Sequence, residues 1–322
     1  MRKIRWGVMG TADIARGATI PGMQKAEHVE LYAIAGRKME KARQYQETFG
    51  FRKAYGSYDE LLADPEVEAV YVPLPNDLHC EWSIRALKAK KHVLVEKPMA
   101  VSEAQAKEMF RAAEENGVFL MEAFAYLHSP FVKAVKAELD AGTIGEVRYF
   151  ESAFITGCRP DTDIRLRKET YGGAMYDLGC YPLSMVTWML GREPEQVLAS
   201  AQFSERKIDL FTSALLLYGN GAVANLDCGM VLSGGRLDRF RIHGTAGEIV
   251  SPVEFNQSGE IPYTIIRNGM KETKTVTAPN NYMLEAEQLS RCILGEETPH
   301  VTKEFSLMTA RVTDRIMEAI GY

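Results

Sequence analysis

Over the first ~125 residues, short apolar runs alternate with amphipathic segments, and few folds beyond a parallel sheet with crossover helices satisfy that rhythm. A strand buried on both faces reads as a short continuous apolar run, and its parallel neighbour is reached only through a crossover. The segment "KIRWGVM" (3–9) is the first such strand, with a helix from about Asp13. "VELYAIA" (29–35) is the second, followed by the charged helix "MEKARQYQETFG", which stops at Gly50. "RKAYG" is a short third strand, and "SYDELLAD" opens with Ser57 and Glu60 at capping-box spacing. "VEAVYVPLP" is the fourth strand, running into "PNDLH" and a helix to about Lys88. "KHVLVEKP" is the fifth, Ser102 and Gln105 form another capping box ahead of a helix through Glu115, and "GVFLMEAF" is the sixth. Six strands joined in this way predict the sheet order 3-2-1-4-5-6.

After about Phe124 the rhythm changes. A helix around 128–140 precedes the turn "AGTIGE", then "VRYFESAF" and a glycine-rich helix at 172–190. Longer strands follow: "VLASAQF", "LFTSALLLY", "AVANLDCGMVL" and "DRFRIHG", with "GNG" (219–221) as a hairpin signal. Strands in succession without crossovers predict antiparallel pairing. Two helices, near 282–294 and 303–320, close the chain. The 322 residues thus read as an α/β protein of two domains, 1–123 with the parallel sheet and 124–322 with an open, mainly antiparallel one.

Charge and composition exclude several classes of function. A net charge of −5 leaves no basic footprint for nucleic acid. No apolar run approaches a membrane span, and "MRKIRWGVMG" lacks the apolar stretch of a signal peptide, so a cytoplasmic location is expected. Cys80, Cys158, Cys180, Cys228 and Cys292 are odd in number, scattered and never in a CxxC, which argues against a disulfide framework or a zinc knuckle. The histidines show no HExxH either, and no protein-bound metal is expected.

The first strand runs into "GTADIA", which read against GxGxxG is Gly10-x-Ala12-x-x-Ala15. Such a loop must turn sharply, let backbone approach a pyrophosphate and let the helix pack close to the sheet. Gly10 serves the turn, and small residues serve the rest. Thr11, Ala12, Asp13 and Ile14 then present free N–H groups and the positive end of a helix to phosphate. At the end of the second strand, where an acid holds the ribose 2′-hydroxyl of NAD, the sequence reads Gly36-Arg37-Lys38. An arginine fork suits a 2′-phosphate. NADP(H) is therefore predicted in preference to NAD(H), which stays possible.

In the predicted order, strands one, four and five are neighbours. The loop Gly10–Ala15, "PLPNDLH" (73–79) and "EKP" (96–98) then lie along one rim, where ligands bind in such folds. Leu74, Pro75 and Asn76 fall there, and His79 and Asn76 are expected on the nicotinamide-ribose side, with a helix-capping or surface position as the alternative for His79. Glu96 is expected to contact the cofactor ribose or pair with a base. Lys97 falls where the nicotinamide end of an extended dinucleotide would lie, and Pro98 holds it in extended geometry.

With these residues in place, "GTADIA", "PLPNDLH", "HVLVEKPMA" and "GGAMYDLGCYP" together resemble the glucose–fructose oxidoreductase / inositol dehydrogenase / MocA family over essentially the whole chain. The resemblance implies a Rossmann domain joined to a C-terminal α/β domain whose open sheet commonly serves oligomerisation, and a sugar or polyol as substrate. "GGAMYDLGCYP" and "RPDTDIRL" (159–166) look like the branch of dimeric dihydrodiol dehydrogenase and D-xylose dehydrogenase, in which the residue matching Tyr181 is a tyrosine. They make Arg165 a candidate substrate contact. Many relatives carry an arginine where this chain has Leu127, so the substrate pocket is expected to differ.

The implied reaction is reversible hydride transfer between a carbinol carbon and the nicotinamide, with a general acid/base moving the hydroxyl proton. Tyr181 is expected in that role. A phenol with a pKa near ~10 needs help at neutral pH, and the Lys97 ammonium would favour the phenolate and polarise the substrate oxygen. Asp177, four residues before Tyr181, is expected to hold the substrate hydroxyl or orient Lys97. Two alternatives stand beside a sugar, polyol or vicinal-diol dehydrogenase: glycosidase-type chemistry through transient oxidation, and a non-catalytic NADP(H) sensor.

Overall fold

The computed structural model describes residues 1–251 and 255–322, and the chain divides into two units. Met1–Ala100, Ala104–His128 and Pro279–Ser306 form the first; Val101–Glu103, Ser129–Ala278 and Leu307–Tyr322 form the second.

In the first unit the strands are β1 (Ile4–Met9), β2 (Val29–Ala35), β3 (Lys53–Tyr55), β4 (Ala69–Val72), β5 (His92–Glu96) and β6 (Leu120–Ala123). They are parallel, in the order β3-β2-β1-β4-β5-β6 that the alternation predicts. The crossovers are a π-helical turn (Ala15–Thr19) continuing into α1 (Ile20–Met23), then α2 (Met39–Phe49), α3 (Tyr58–Ala63), α4 (Asn76–Lys88) and α5 (Glu103–Asn116). Trp6, Val8, Ile34, Val70, Leu94, Val95 and Met121 are fully buried, as strands covered on both faces require. In register, Met9 pairs with Ala35, Val8 with Tyr71, Val72 with Val95 and Glu96 with Ala123. The carboxyl ends of these strands therefore share one rim.

A single cut after residue 123 is too simple. The helix α8 (Asn281–Ile293) packs on α1 and on the 3-10 turn Ala125–His128, and buries Ala286, Leu289 and Cys292. Gly22 permits the approach, because a Cβ there would lie 2.7 Å from Tyr282 Cβ and 2.8 Å from the Met283 nitrogen. Trp6 Nε1 donates to Ser290 Oγ at 3.0 Å, and the His28 N–H donates to Glu287 Oε2 at 2.9 Å. Amphipathic spacing shows that this helix buries a face but not which sheet receives it.

The second unit carries α6 (Pro130–Asp140), β7 (Val147–Gly157), α7 (Cys180–Leu190), β8 (Gln196–Phe203), β9 (Asp209–Leu217), β10 (Val223–Leu232), β11 (Arg236–Gly244), β12 (Glu248–Ser251), β13 (Gly259–Arg267) and β14 (Met270–Ala278). Its sheet runs β14-β13-β12-β11-β7-β10-β9-β8. Every neighbouring pair is antiparallel except β7 and β10, which the long excursion through α7, β8 and β9 returns in the same direction. α7 packs on β7 and β10. The sequence reading missed β12, β13 and β14, although Asn268-Gly269, both at positive φ, is the hairpin signal between the last two. The helix α9 (Lys303–Ile320) closes the chain.

Candidate active site

The first unit assembles its unusual loops on one rim. Gly10 sits at φ +114°, a conformation open to glycine, and its N–H continues the sheet by donating to Ala35 O at 2.8 Å. A Cβ on Gly10 would lie 3.0 Å from Leu74 Cδ2 and 3.7 Å from the Tyr58 hydroxyl, so the side of Leu74 closes directly on the glycine turn. Helical structure begins at Asp13, and a helix leaves its first N–H groups without intrahelical acceptors. Thr11 is held from behind by the Tyr45 hydroxyl, which donates to its carbonyl at 3.1 Å. Ala12 and Ile14 are half-buried and Asp13 is exposed, pairing with Arg16 at 3.1 Å.

Arg37 and Lys38 follow the end of β2 and are exposed. Burial pushes the Tyr58 phenol up, while the Arg37 guanidinium pulls it down. The residues fit a dinucleotide. The glycine turn, the helix start and a cationic pair in place of a ribose-binding acid stand together on the rim.

Three side chains, those of Glu96, His79 and Glu122, brace the corner after β5. The Tyr71 hydroxyl donates to Glu96 Oε1 at 2.5 Å, and the Lys97 N–H donates to Glu96 Oε2 at 3.3 Å. His79 Nδ1 lies 2.8 Å from Pro98 O and Nε2 lies 2.6 Å from Leu74 O. The Met99 N–H donates to Glu122 Oε1 at 2.9 Å, whose Oε2 accepts from Ser306 at 2.7 Å. Lys97 itself is half-buried, and its ammonium acts electrostatically on Glu122 and on His79.

One expectation changes here. His79 is 1% exposed and both ring nitrogens face carbonyl oxygens of the chain, so neither is directed to a cofactor ribose. It ties the β4 loop to the β5 corner instead. Glu96 is buried too, and it accepts from the Tyr71 hydroxyl on one oxygen and from the Lys97 N–H on the other. Sequence reasoning passed over Tyr71 and Glu122. Glu122 left a signal, a lone acid in the apolar run "FLMEAF", where an ionised group is costly to bury.

In the second unit the helix of Tyr181 starts later than the glycines suggest. A Cβ on Gly172 would lie 2.3 Å from Arg165 O, and Gly173 sits at φ +125° against Asp209. Asp209 is fully buried and its Oδ2 accepts the Met175 N–H and the Thr212 hydroxyl, each at 2.8 Å. It anchors the helix start, and burial pushes its carboxyl up to about 6. A π-helical turn (Met175–Gly179) then leads without a break into α7, which carries Tyr181 and Pro182.

Tyr181 is half-exposed. Its ring meets Phe154 edge-on at 5.2 Å between centroids and lies 5.3 Å from Phe255, which stacks on Phe154 at 5.4 Å. The Arg236 guanidinium covers the same Phe154 ring at 4.4 Å and bonds to Asp238 at 2.7 Å. Asp177 Oδ2 lies 2.9 Å from Arg165 Nε and 3.6 Å from Arg159. Arg165 also holds Asp163 at 3.3 Å, and the Asp177 charge raises its pKa further, so it stays a cation. Asp161 pairs with Arg206 instead, at 3.9 Å.

Known proteins share this fold. Residues 4–124 match the family model of an oxidoreductase family with an NAD-binding Rossmann fold, and residues 132–250 match the Gfo/Idh/MocA C-terminal domain. The chain is 34% identical to D-xylose 1-dehydrogenase (NADP(+)) 2 of Haloferax volcanii, over 98% of its own length and 96% of the relative's. It is 32% identical to trans-1,2-dihydrobenzene-1,2-diol dehydrogenase of Xenopus laevis, over 98% of both chains. The structure of KijD10, a 3-ketoreductase from Actinomadura kijaniata in complex with NADP and TDP-benzene, superposes with a TM-score of 0.93 at 34% identity, covering 99% of this chain and 98% of that one.

Fold, rim and relatives agree on the class, an NAD(P)-dependent oxidoreductase. Within that class the chain belongs to the Gfo/Idh/MocA family, and its relatives include both dehydrogenases of the branch it resembles in sequence. Among the described residues no helix is long and apolar enough to cross a membrane.

Proposed function

We propose that this protein is an NADP(H)-dependent oxidoreductase that moves a hydride between the nicotinamide and a carbinol or carbonyl carbon of a sugar, polyol or vicinal diol. The observation that carries this reading is the braced Lys97 corner on the same rim as the Gly10 turn. Bound along that rim, the nicotinamide supplies the hydride acceptor or donor. Gly10, Thr11, Ala12, Asp13 and Ile14 hold the pyrophosphate, and Leu74, Pro75 and Asn76 flank the far end of the dinucleotide. Arg37 and Lys38 take the 2′-phosphate, since a guanidinium recognises it bidentately where an acid would repel it.

Tyr181 moves the hydroxyl proton, and Lys97 stabilises negative charge on the substrate oxygen. Asp177 receives a substrate hydroxyl from the position that Arg165 and Arg159 fix for it, and Arg165 reaches the same substrate. Relatives with similar coverage act on xylose or a dihydrodiol by name, which supports a polyhydroxylated substrate without choosing one. A second copy of the chain would cover the apolar surface of the sheet, where Leu198 is 55% exposed. The protein is expected to work in the cytoplasm.

The test is a panel of aldoses, polyols and vicinal diols assayed by NADPH formation, with the corresponding ketones and NADPH in reverse. Turnover of at least one member with NADP+ is expected. Release of an aglycone without net NADPH formation would assign glycosidase-type chemistry instead.

A further inference from the structure

We propose that Tyr71 is a positioning residue that couples the helix of the glycine loop to the lysine corner, through Thr19 on one side and Glu96 on the other. The inference rests on the reading of Lys97 given above, but part of its test does not. Tyr71 lies in β4 between Val8 of β1 and Leu94 of β5, at the centre of the parallel sheet and 0% exposed. A phenol there is costly to bury unless its hydroxyl is bonded. It has two partners. Thr19 Oγ1 lies 2.9 Å away and Glu96 Oε1 lies 2.5 Å away.

Thr19 is the last residue of the π-helical turn that continues from the glycine loop, and it is fully buried. Glu96 turns its other oxygen to the Lys97 N–H. Three bonds therefore connect the dinucleotide loop's helix to the peptide from which the Lys97 side chain starts.

The chain has a direction. A carboxylate can only accept, so the single Tyr71 proton goes to Glu96 and the Thr19 hydroxyl must donate to the Tyr71 oxygen. Burial, reinforced by the Glu96 charge, pushes the Tyr71 phenol well above its ordinary value, so it remains a donor. Glu285 of α8 faces the same cluster. It is fully buried, neither carboxyl oxygen has a hydrogen-bond partner, and burial with Glu96 beside it pushes its carboxyl well up. Glu285 therefore keeps its proton in the folded chain.

The experiment uses the full chain labelled with 15N-lysine, in which the Lys97 amide is the resonance that disappears in Lys97→Ala. Tyr71→Phe and, separately, Thr19→Val are expected to shift that resonance and speed its hydrogen exchange. An unmoved Lys97 amide in either variant overturns the coupling, whatever the protein catalyses. In the kinetic arm, Tyr71→Phe is expected to lower kcat about tenfold, the worth of one charged hydrogen bond, while the NADPH dissociation constant changes less than threefold. Adding Thr19→Val to Tyr71→Phe should cost little more, because the chain is already cut. An unchanged kcat in Tyr71→Phe beside a dead Lys97→Ala overturns the positioning role. Should Lys97→Ala itself retain turnover, the catalytic reading of Lys97 fails, and the amide resonance still decides whether Thr19 and Tyr71 reach the corner.

Discussion

His79 and Pro98 are joined across two loops: the imidazole Nδ1 lies 2.8 Å from the Pro98 carbonyl oxygen while its Nε2 faces Leu74 O at 2.6 Å. Two carbonyl acceptors favour a doubly protonated ring, but burial opposes the charge and prevails, holding the pKa down at about 4. The neutral ring donates to one carbonyl at a time.

Replacing His79 by Gln should therefore loosen the corner and cost about 1–3 kcal/mol, the penalty for buried groups left unpaired. The unfolded histidine takes up its proton near pH 6.5 and the folded one only near 4. Wild-type stability thus falls, relative to His79→Gln, as pH drops through that window. Urea unfolding of both proteins between pH 4 and 7.5 checks it, and a gap that widens in acid would contradict the assignment.

Glu122 has the opposite linkage. Burial raises its carboxyl to about 7, against the lowering pull of the Met99 N–H, Ser306 and Lys97. Between about 4.5 and 7 the unfolded chain has released this proton and the folded one has not, so its contribution declines as pH rises and levels off above 7. The stability of wild type minus Glu122→Gln should decline over that range, measured by thermal unfolding at matched ionic strength. A flat difference would mean that Glu122 is ionised throughout.

These buried groups mark the limit of what the sequence disclosed. The order of the parallel sheet was legible, because each strand is a continuous apolar run and the crossovers are amphipathic. Gly10, Arg37 and Lys97 were legible as rim residues for the same reason, since topology alone places strand ends. The fate of α8 was not, because helical periodicity shows a buried face without naming its partner. Nor were the parallel pairing of β7 with β10, a long-range choice, or the engagement of His79 by carbonyls, which the residue's usual chemistry conceals. Asp177 was visible as a carboxylate one turn before Tyr181, but its arginine partners come from a loop that hydrophobic pattern does not describe.

Gly173 offers a local test of how the Tyr181 helix is anchored. A Cβ there would lie 2.0 Å from Asp209 Oδ1, at a backbone φ of +125° that side chains rarely adopt. Gly173→Ala should destabilise the protein by at least about 1–3 kcal/mol from backbone strain alone, and displace the carboxylate that caps Met175. Urea midpoints measure the first effect. Normal stability in Gly173→Ala would show that the start of this helix tolerates a different path.

Arg37→Ala should act on the coenzyme and not on the fold, because the side chain is exposed. Loss of charge-assisted phosphate bonds predicts about 1–3 kcal/mol weaker NADPH binding, with NADH little changed. Fluorescence titration with both coenzymes reads the difference directly, and equal losses for both would move the 2′-phosphate away from Arg37.

The proposed function assigns the chemical step to Lys97 and Tyr181. If Tyr181 transfers the hydroxyl proton, Tyr181→Phe keeps the aromatic packing on Phe154 and Phe255 and removes only the group that moves the proton. We expect kcat to fall by about 10²–10⁴, the usual worth of general acid–base catalysis, with an unchanged unfolding midpoint. Lys97→Ala should lower kcat comparably while NADPH still binds, because the phosphates are held elsewhere on the rim. The two losses should not add: once either group is gone, the other has no developing oxygen charge to stabilise or no proton to place. Steady-state kinetics of both single variants and the double variant on the best substrate of the panel decide this. Fully additive losses would separate the two residues, and near-normal turnover in both single variants would remove them from the reaction.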